Sequence, residues 1–341
     1  MSLRIIGYGA YNLCFDKLWG KGPNDSGPDF FQFIRNGKWP INAVKVICFR
    51  KSMIEGLPPR RAIPLFNSQK KLNPDFLTNL DQMVGRAADL GFWVQICIFS
   101  FQSVALSSDP SKWEFPENVP AELDPTKLGT NNCDRLRKFF GTKDETTFKA
   151  TKMLAAQIAW AVRWRTNIIW EMGNEVRIQG CDANTAKDAT CDIVAWYDAM
   201  WDRVFGLIEP DQAPHTMSTG VENEQVLWTT QRPFNGCANE TYGADPYDFH
   251  ADQWNYAGDY AAGMDAAVQR MQNYGSPREL TINDDGAKPD SLRTARLQAW
   301  AGAAFQRKLW YLSKQQYPPG QLFDLDALNA LKKANDAHPL T

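Results

Sequence analysis

The sequence is poor in the residues that build metal centres or bind polyanions. It has three histidines in 341 residues, and its seven cysteines include no Cys-x-x-Cys pair, which argues against a zinc site. A formal charge of −2 without a clustered Lys/Arg face argues against nucleic acid as a partner. Gly7-Tyr-Gly9 lacks the third glycine of a dinucleotide-binding loop. We therefore expect no metal, no cofactor and no nucleic acid.

Long apolar segments are also missing. No run approaches the roughly 18–20 apolar residues of a membrane span, and the N-terminal residues lack an apolar core of signal-peptide length. We expect no membrane partner and no signal peptide in this chain, and secretion after removal of a signal would be compatible with such a start. The sequence carries no indication of localisation or of oligomeric state.

The cysteines leave the redox compartment open. Cys48 and Cys97 lie in apolar, strand-like runs and are expected to be buried thiols. Cys181 and Cys191 bracket a polar loop, and their spacing fits either a disulfide that closes this loop or two separate thiols. Because the number of cysteines is odd, at least one is free or paired between chains.

Short apolar runs alternate with helical segments, and no linker divides the chain. Most of these runs are rich in Ile, Val, Phe and Trp without polar alternation, as strands buried on both faces should be. The candidate strands are Leu3–Gly7, Ala43–Phe49, Phe92–Phe99, Asn167–Met172, Thr216–Thr219, Tyr247–Ala251, Leu280–Asn283 and, least evident, Lys308–Leu312.

Helix signals fall between these runs. Asn73-Pro-Asp75 predicts a helix start with a capping side chain, and Gly91 predicts its end. About eight strand–helix repeats predict one (β/α)8 barrel domain over residues 1–341, with an open doubly wound sheet as the alternative. Further helices are predicted at Thr147–Arg165, Asp192–Ile208, Tyr260–Tyr274, Leu292–Ala304 and Leu325–Ala334.

Two long loops follow the third and fourth strands. Ser100–Thr142 holds Trp113, Phe115 and several prolines, and Glu175–Cys191 comes next along the barrel. Long loops at the carboxyl ends of strands commonly shape a ligand cleft, and the alternative is that they only cover the barrel mouth.

An amide and a carboxylate, Asn174 and Glu175, stand at the tip of the fourth candidate strand, directly after Gly173. In a parallel α/β protein, ligands bind at this end of the strands. The sequence Trp-Glu-Met-Gly-Asn-Glu at residues 170–175 resembles the fourth strand of the clan-A (β/α)8 glycoside hydrolases, which include cellulases, mannanases and β-galactosidases. The resemblance implies that Glu175 is the acid/base and that Asn174 binds the 2-hydroxyl of the sugar. Glu171, inside the strand, is expected to be a buried structural acid.

The seventh strand departs from the clan pattern. Its sequence, Leu280-Thr-Ile-Asn-Asp-Asp-Gly286, puts Asp284 where the family carries the nucleophilic Glu, and Asp285 where it carries an aromatic residue. Retaining enzymes hold their carboxyls about 5–5.5 Å apart and inverting enzymes about 6.5–9.5 Å apart. The shorter Asp leaves both mechanisms open. The alternative is that these two acids cap a turn or the next helix.

Further site residues are implied by the same resemblance. The segment Asp248-Phe-His-Ala-Asp-Gln-Trp is similar to the sixth strand of the clan, so His250 or Asp252 would contact the nucleophile or the sugar, and Trp254 would stack beneath the sugar. Arg50, after the second strand, would keep Asp284 ionised. The alternatives are that Lys51 takes this role or that Arg50 is simply exposed to solvent. The Asp-x-His-x-Asp spacing also fits a hard metal ion, so a metal-dependent barrel hydrolase remains a rival.

Two further residues follow predicted strands, Asn12 after the first and Glu222 after the fifth. Glu222 is a second candidate for the catalytic carboxylate if Asp284 points away. The resemblance as a whole implies a glycoside hydrolase that cleaves a β-linked oligo- or polysaccharide with two carboxylates and no cofactor. A weakly active relative that only binds glycan is the alternative, because of the Asp at position 284.

Overall fold

Eight parallel strands form a closed barrel in which each strand pairs with the next and the eighth pairs with the first. The computed structural model describes residues 5–21, 25–52, 59–174, 176, 181, 185, 192–193, 195–197, 199–200, 203, 207, 215–218, 247–250, 280–284, 293–306, 310–314 and 324–339. The strands are β1 Ile6–Gly9, β2 Ala43–Ile47, β3 Trp93–Ser100, β4 Ile168–Asn174, β5 His215–Ser218, β6 Tyr247–His250, β7 Leu280–Asp284 and β8 Trp310–Lys314.

The predicted (β/α)8 barrel is therefore confirmed, and the open sheet is excluded because β8 pairs with β1. All eight predicted strands are present, and no strand end differs from its predicted position by more than three residues. The assignment of the whole chain to a single domain stays a prediction.

Helices lie between the strands. The helix Pro74–Asp89 begins as predicted, since the side chain of Asn73 accepts a hydrogen bond from the Asp75 N–H, and Gly91 follows its end with a φ of +72°. Described residues between positions 192 and 203 are also helical, and the predicted helix Tyr260–Tyr274 lies outside the described residues. Further helices between the strands are Phe30–Asn36, Glu145–Val162, Arg293–Gln306 and Leu325–Ala337. None of the described helices is long and apolar enough to cross a membrane.

The barrel interior is layered on the side formed by β1 to β4. Apolar side chains fill the end from which the strands start, and a second, smaller apolar group lies near their carboxyl ends. A polar group lies between these two groups. The three sets are Ile5, Ala43, Trp93 and Ile169; then Lys45, Gln95 and Glu171; then Tyr11, Ile47 and Cys97.

The loop between β3 and the next long helix is folded rather than structureless. It contains short helices at Pro125–Leu128 and Asn132–Phe139. An aromatic cluster of Phe49, Phe99, Phe139, Phe140 and Trp196 packs this loop against the ends of β2 and β3, with centroids 5.0–5.7 Å apart in edge-on or tilted pairs.

One prediction about the cysteines is wrong. Cys181 bonds to Cys133, not to Cys191, and the Cα atoms of the bonded pair lie 5.2 Å apart. The physical reason is that the folded loop after β3 brings the helix of Cys133 beside the segment after β4, a proximity that spacing along the chain does not measure. Cys48 and Cys97 are buried free thiols, as expected, and so is Cys14.

Candidate functional site

Three of the predicted site residues are the last residues of their strands, at the carboxyl end of the barrel. Asn174 is the last residue of β4, His250 the last of β6 and Asp284 the last of β7. Because all the strands are parallel, these ends lie at the same mouth. Arg50 comes three residues after the end of β2 and therefore lies at the same end of the barrel. The remaining predicted site residues, Glu175, Asp252, Trp254 and Asp285, lie outside the described residues, as does Glu222.

Gly173 turns the end of β4 so that Asn174 faces the barrel interior. Side chains alternate along a strand, and since Glu171 lies inside while Met172 packs in the helix-facing core, regular alternation would place residue 174 outside. The Cβ of an alanine at position 173 would instead lie 2.9 Å from Tyr197 Oη, on the helix side. The alternation is therefore broken at the glycine, and residue 174 takes the inward position.

A buried lysine holds Asn174 in place. Lys45 Nζ donates to Asn174 Oδ1 at 2.7 Å and lies 3.0 Å from both carboxylate oxygens of Glu171. Gln95 Nε2 donates to Glu171 Oε2 at 2.9 Å. The side chains of Lys45 and Glu171 are fully buried. The expectation that Glu171 is a buried structural acid is confirmed, and its main partner is a lysine that sequence reasoning missed.

The ion pair defines which way the amide of Asn174 points. Since an amide oxygen only accepts hydrogen bonds, the contact with the Lys45 ammonium assigns Oδ1 to the interior. The amide nitrogen then faces the other way, and Nδ2 donates to Gln102 Oε1 at 3.5 Å. Gln102 in turn accepts from Ser100 Oγ at the end of β3. An amide nitrogen has two N–H donors, and the contact with Gln102 uses one of them.

Arg50 lies at the mouth, paired with an acid from the loop after β3. Its Nη2 is 2.8 Å from Glu114 Oε2, and its guanidinium carbon is 5.5 Å from the centre of the Tyr11 ring. The same ring lies 6.0 Å from Lys45 Nζ. The predicted contact between Arg50 and Asp284 stays a prediction, because the side chain of Asp284 is not among those described. Asn12, beside Tyr11, has a buried Oδ1 without a hydrogen-bond partner in the described part of the chain.

The long loop after β3 is fixed to the barrel mouth at two places. At the end of β2, the Lys51 N–H donates to the Glu114 carbonyl at 2.6 Å, and Ser52 Oγ donates to Glu117 at 3.1 Å. At its far end, Thr142 donates to Asp192 through both its backbone N–H and its hydroxyl. The disulfide described above adds a covalent link to the segment after β4. The loop therefore forms part of a fixed rim.

Two buried thiols near this mouth, Cys48 and Cys97, have raised pKa values and stay protonated near neutral pH. A hydrogen bond between its thiol and Cys14, followed by burial, raises the pKa of Cys48 well above its ordinary range. Burial raises the pKa of Cys97 in the same direction, and the neighbouring charge of Glu171 adds to the shift. Neutral buried thiols are poor nucleophiles, so these cysteines are structural.

No group of three or more His, Cys, Asp or Glu side chains suitable for a metal ion occurs among the described residues. The side chain of His250 and the whole of Asp252 fall outside them, so the metal-dependent alternative is not tested by this geometry.

The likeness to known proteins lies in the fold. No protein-family model and no curated protein matches the sequence. Among solved structures, an endo-1,4-β-mannanase from Rhizomucor miehei superposes with a TM-score of 0.64 at 13% identity, covering 98% of this chain and 94% of its own. A family 5 lichenase from Caldicellulosiruptor sp. F32 in complex with cellotetraose gives 0.59 at 14%, covering 96% and 92%.

A family 5 xyloglucanase from Paenibacillus pabuli gives a TM-score of 0.59 at 13% identity, covering 97% of this chain and 98% of its own. These likenesses extend over nearly the full length of both partners in each pair. The chain therefore has the barrel fold of the family 5 glycoside hydrolases, which belong to the clan that residues 170–175 resemble.

Proposed function

We propose that the protein is a glycoside hydrolase that cleaves O-glycosidic bonds in a β-linked oligo- or polysaccharide. The observation that carries the proposal is the placement of Asn174: a fully buried lysine orients its amide at the barrel end where β7 finishes in Asp284. The mannanase, lichenase and xyloglucanase that share the fold support a β-linked glycan as the substrate class.

Glu175, which directly follows Asn174, is the proposed acid/base. Cleavage of the bond leaves an alkoxide on the departing sugar unless a carboxylic acid protonates its oxygen as the bond breaks. Glu175 must therefore be protonated when substrate is bound, and activity is expected to fall as pH rises above the range in which this acid keeps its proton. A rate that stays constant up to pH 9 would contradict the assignment.

Asp284 is the proposed second carboxylate. It either attacks the anomeric carbon, which gives a covalent glycosyl-enzyme and a retained anomer, or removes a proton from an attacking water, which gives the inverted anomer. Proton NMR of the first-formed product distinguishes these two roles. In both, a nearby Arg50 would favour the ionised form of Asp284.

Asn174 is the proposed ligand of the sugar 2-hydroxyl. Its Oδ1 accepts from Lys45 and its Nδ2 donates to Gln102, and the second N–H of the same amide nitrogen is the proposed donor to the sugar. Hydrogen bonds to the 2-hydroxyl strengthen in the oxocarbenium-like transition state and supply several kcal/mol of stabilisation there. Loss of this contact is therefore expected to lower kcat more than it raises KM.

The remaining contacts form the proposed sugar subsite. His250, Asp252 and Asp285 would bind hydroxyls, and Trp254 would stack beneath a sugar ring. Arg50 and its partner Glu114 are partly exposed at the rim. Glu114 lies between Trp113 and Phe115, whose rings pack together with centroids 5.7 Å apart, so an aromatic surface lies next to the charged pair.

Carboxylate variants test the proposal on mannan, xyloglucan and β-glucan. Glu175→Gln and Asp284→Asn are each expected to lower kcat by roughly 10²–10⁴-fold. Glu122→Gln, which changes an exposed carboxylate of the loop after β3, is the matched control and should be unaffected. Glu175→Gln should keep a larger fraction of the wild-type activity on aryl glycosides with good leaving groups than on the polysaccharides, because a good leaving group needs little protonation. If Glu222→Gln abolishes activity and Asp284→Asn does not, the assignment of Asp284 is wrong.

The enzyme proposal would be contradicted if the wild-type protein hydrolysed none of these polysaccharides and no aryl glycoside. The variant Asp284→Glu then distinguishes a weakly active glycan-binding relative from an unrelated barrel, since restoring the family's longer side chain should produce activity only in the former. Activity that disappears with EDTA and returns with a divalent metal would instead favour the metal-dependent alternative.

A further inference from the structure

Two tryptophans are exposed on the outer surface of the barrel. The helix Glu145–Val162 buries one face, which includes Leu154 and Ile158, against the barrel. Trp160 at its end is 54% exposed, and Trp164, four residues later, is 74% exposed. Large aromatic side chains are normally at least partly withdrawn from water because their burial is strongly favourable. Two exposed tryptophans four residues apart form an apolar surface of a size that is often a binding site.

An arginine holds the two rings in a defined arrangement. The guanidinium carbon of Arg163 lies 3.5 Å from the centre of the Trp160 ring and 3.9 Å from that of Trp164. Its Nη1 donates to the Trp160 carbonyl at 2.5 Å. Contacts of a guanidinium with ring faces are attractive, so the rings and the arginine form one preorganised unit. A guanidinium has five N–H donors, and most of them remain for a ligand.

This unit lies far from the proposed catalytic mouth. The helix Glu145–Val162 returns the chain from the carboxyl end of β3 to the start of β4, so its last turn lies at the opposite end of the barrel from Asn174. Residues at that end of such a barrel do not ordinarily take part in catalysis. The surface is therefore separate from the site described above.

The size of the surface argues against a protein partner. Because a tryptophan buries at most about 250 Å², the two rings together expose on the order of 300 Å², well below the roughly 800 Å² per partner of a standard protein interface. The neighbouring Arg165 is paired with Asp81 at 2.8 Å, and Gln157 and Thr166 beside the rings are polar and exposed. Met153, two turns earlier on the same helix, is the other exposed large apolar side chain of the described residues on this helix, so the apolar surface stays small.

We propose that Trp160, Arg163 and Trp164 form a second carbohydrate-binding site for a β-linked polysaccharide. The axial C–H groups of β-linked pyranoses form flat apolar faces, which carry a slight positive charge and are attracted to the negative faces of aromatic rings. Hydroxyl groups at the sugar edge would accept hydrogen bonds from Arg163. A neutral ligand of this shape matches two rings and one donor-rich cation. The choice of a β-linked glycan rests on the proposed function. The geometry of the two rings and the arginine is independent of that function.

Affinity electrophoresis in gels that contain soluble β-glucan or xyloglucan tests this site. The double variant Trp160→Ala/Trp164→Ala is expected to bind the polysaccharide roughly tenfold more weakly, from the loss of two stacking contacts. Met153→Ala, on the same helix, and Leu325→Ala remove other exposed apolar side chains and should migrate like the wild type. Trp160→Phe/Trp164→Phe should keep most of the binding. Hydrolysis of a small aryl glycoside, which occupies only the mouth, should be the same in all variants.

The outcomes separate this inference from the proposed enzyme activity. Normal hydrolysis with unchanged migration of the double alanine variant overturns the second site alone. Retarded migration that depends on the tryptophans, in a protein without hydrolase activity, overturns the enzyme proposal alone. A dimer in sedimentation that dissociates in the double variant, or binding to anionic lipid vesicles that the variant loses, would assign the rings to a different partner and overturn the inference.

Discussion

Lys45 Nζ and Asn174 Oδ1 lie 2.7 Å apart inside the barrel, so a charge without contact to solvent sets the direction of a side chain at its mouth. The lysine comes from β2 and the asparagine from the end of β4, and Glu171 balances the charge. A buried ion pair of this kind contributes little net stability but is costly to break. Its value here is the fixed orientation of an amide next to the proposed acid/base.

Removal of the lysine should affect stability and catalysis together. Lys45→Met leaves the Glu171 carboxylate buried without its partner, and the free energy of unfolding is expected to fall by about 3–5 kcal/mol. Urea denaturation measures this, with Lys112→Met on the surface as the control. The double variant Lys45→Met/Glu171→Gln should regain part of the stability without regaining kcat, since Asn174 still lacks its donor. Recovery of both would contradict the positioning role.

The glycine before Asn174 should not tolerate a side chain. In Gly173→Ala the added Cβ would clash with Val176 Cγ2 and with Tyr197 Oη, and we expect a destabilisation of about 1–3 kcal/mol together with a lower kcat. Gly302→Ala is the matched control, because an added Cβ there meets no described atom within 4 Å and the residue lies in the helix Arg293–Gln306. That variant should be as stable as the wild type or slightly more stable. Equal behaviour of the two variants in thermal unfolding would refute the account.

The disulfide should stabilise the rim of the mouth. It closes a loop of 48 residues, and Cys133→Ser is expected to lower the free energy of unfolding by about 2–5 kcal/mol. Cys191→Ser should leave it unchanged, because Cys191 is not the partner of Cys181. Peptide mapping under non-reducing conditions gives the direct result, and a peptide that joins residues 181 and 191 would disprove the observed pairing.

The buried thiols should make the protein less stable in alkali. The pKa values of Cys48 and Cys97 are raised in the folded state by the Cys14 contact and by burial, whereas the unfolded thiols titrate near pH 8.5. Below that pH both states keep the proton. Above it only the unfolded chain releases protons, so stability falls, on the order of 1 kcal/mol per thiol by pH 9.5. The variant Cys48→Ala/Cys97→Ala should show a smaller decline between pH 7.5 and 9.5 in urea unfolding, and an identical decline would be evidence against shifted thiols.

Much of the fold could be predicted because its signals are local. Apolar runs mark the strands, and the Asn73 cap and Gly91 mark the limits of one helix. Predicting these elements requires no knowledge of which strands are neighbours. The end of β4 was also predicted closely, since Asn174 concludes its run. These features follow from periodicity and from backbone preferences.

The contacts that organise the site depend on register and could not be predicted from local signals. Lys45 and Glu171 are 126 positions apart, and they meet only because β2, β3 and β4 are aligned as observed. A signal did exist: Lys45, Gln95 and Glu171 are single polar residues inside three apolar strands, which is unusual unless they bind one another. The break in alternation at Gly173 and the Cys133 pairing have no comparable signal, because both arise from packing.

The arrangement of layers inside the barrel also has a consequence for the conditions in which the protein can work. Dissolved ions weaken interactions between exposed charges, but they scarcely reach a pair in a dry interior. Apolar side chains at the barrel base and the group of Tyr11, Ile47 and Cys97 enclose Lys45 and Glu171 on the described side. The orientation of Asn174 should therefore persist in concentrated brine as well as in dilute buffer.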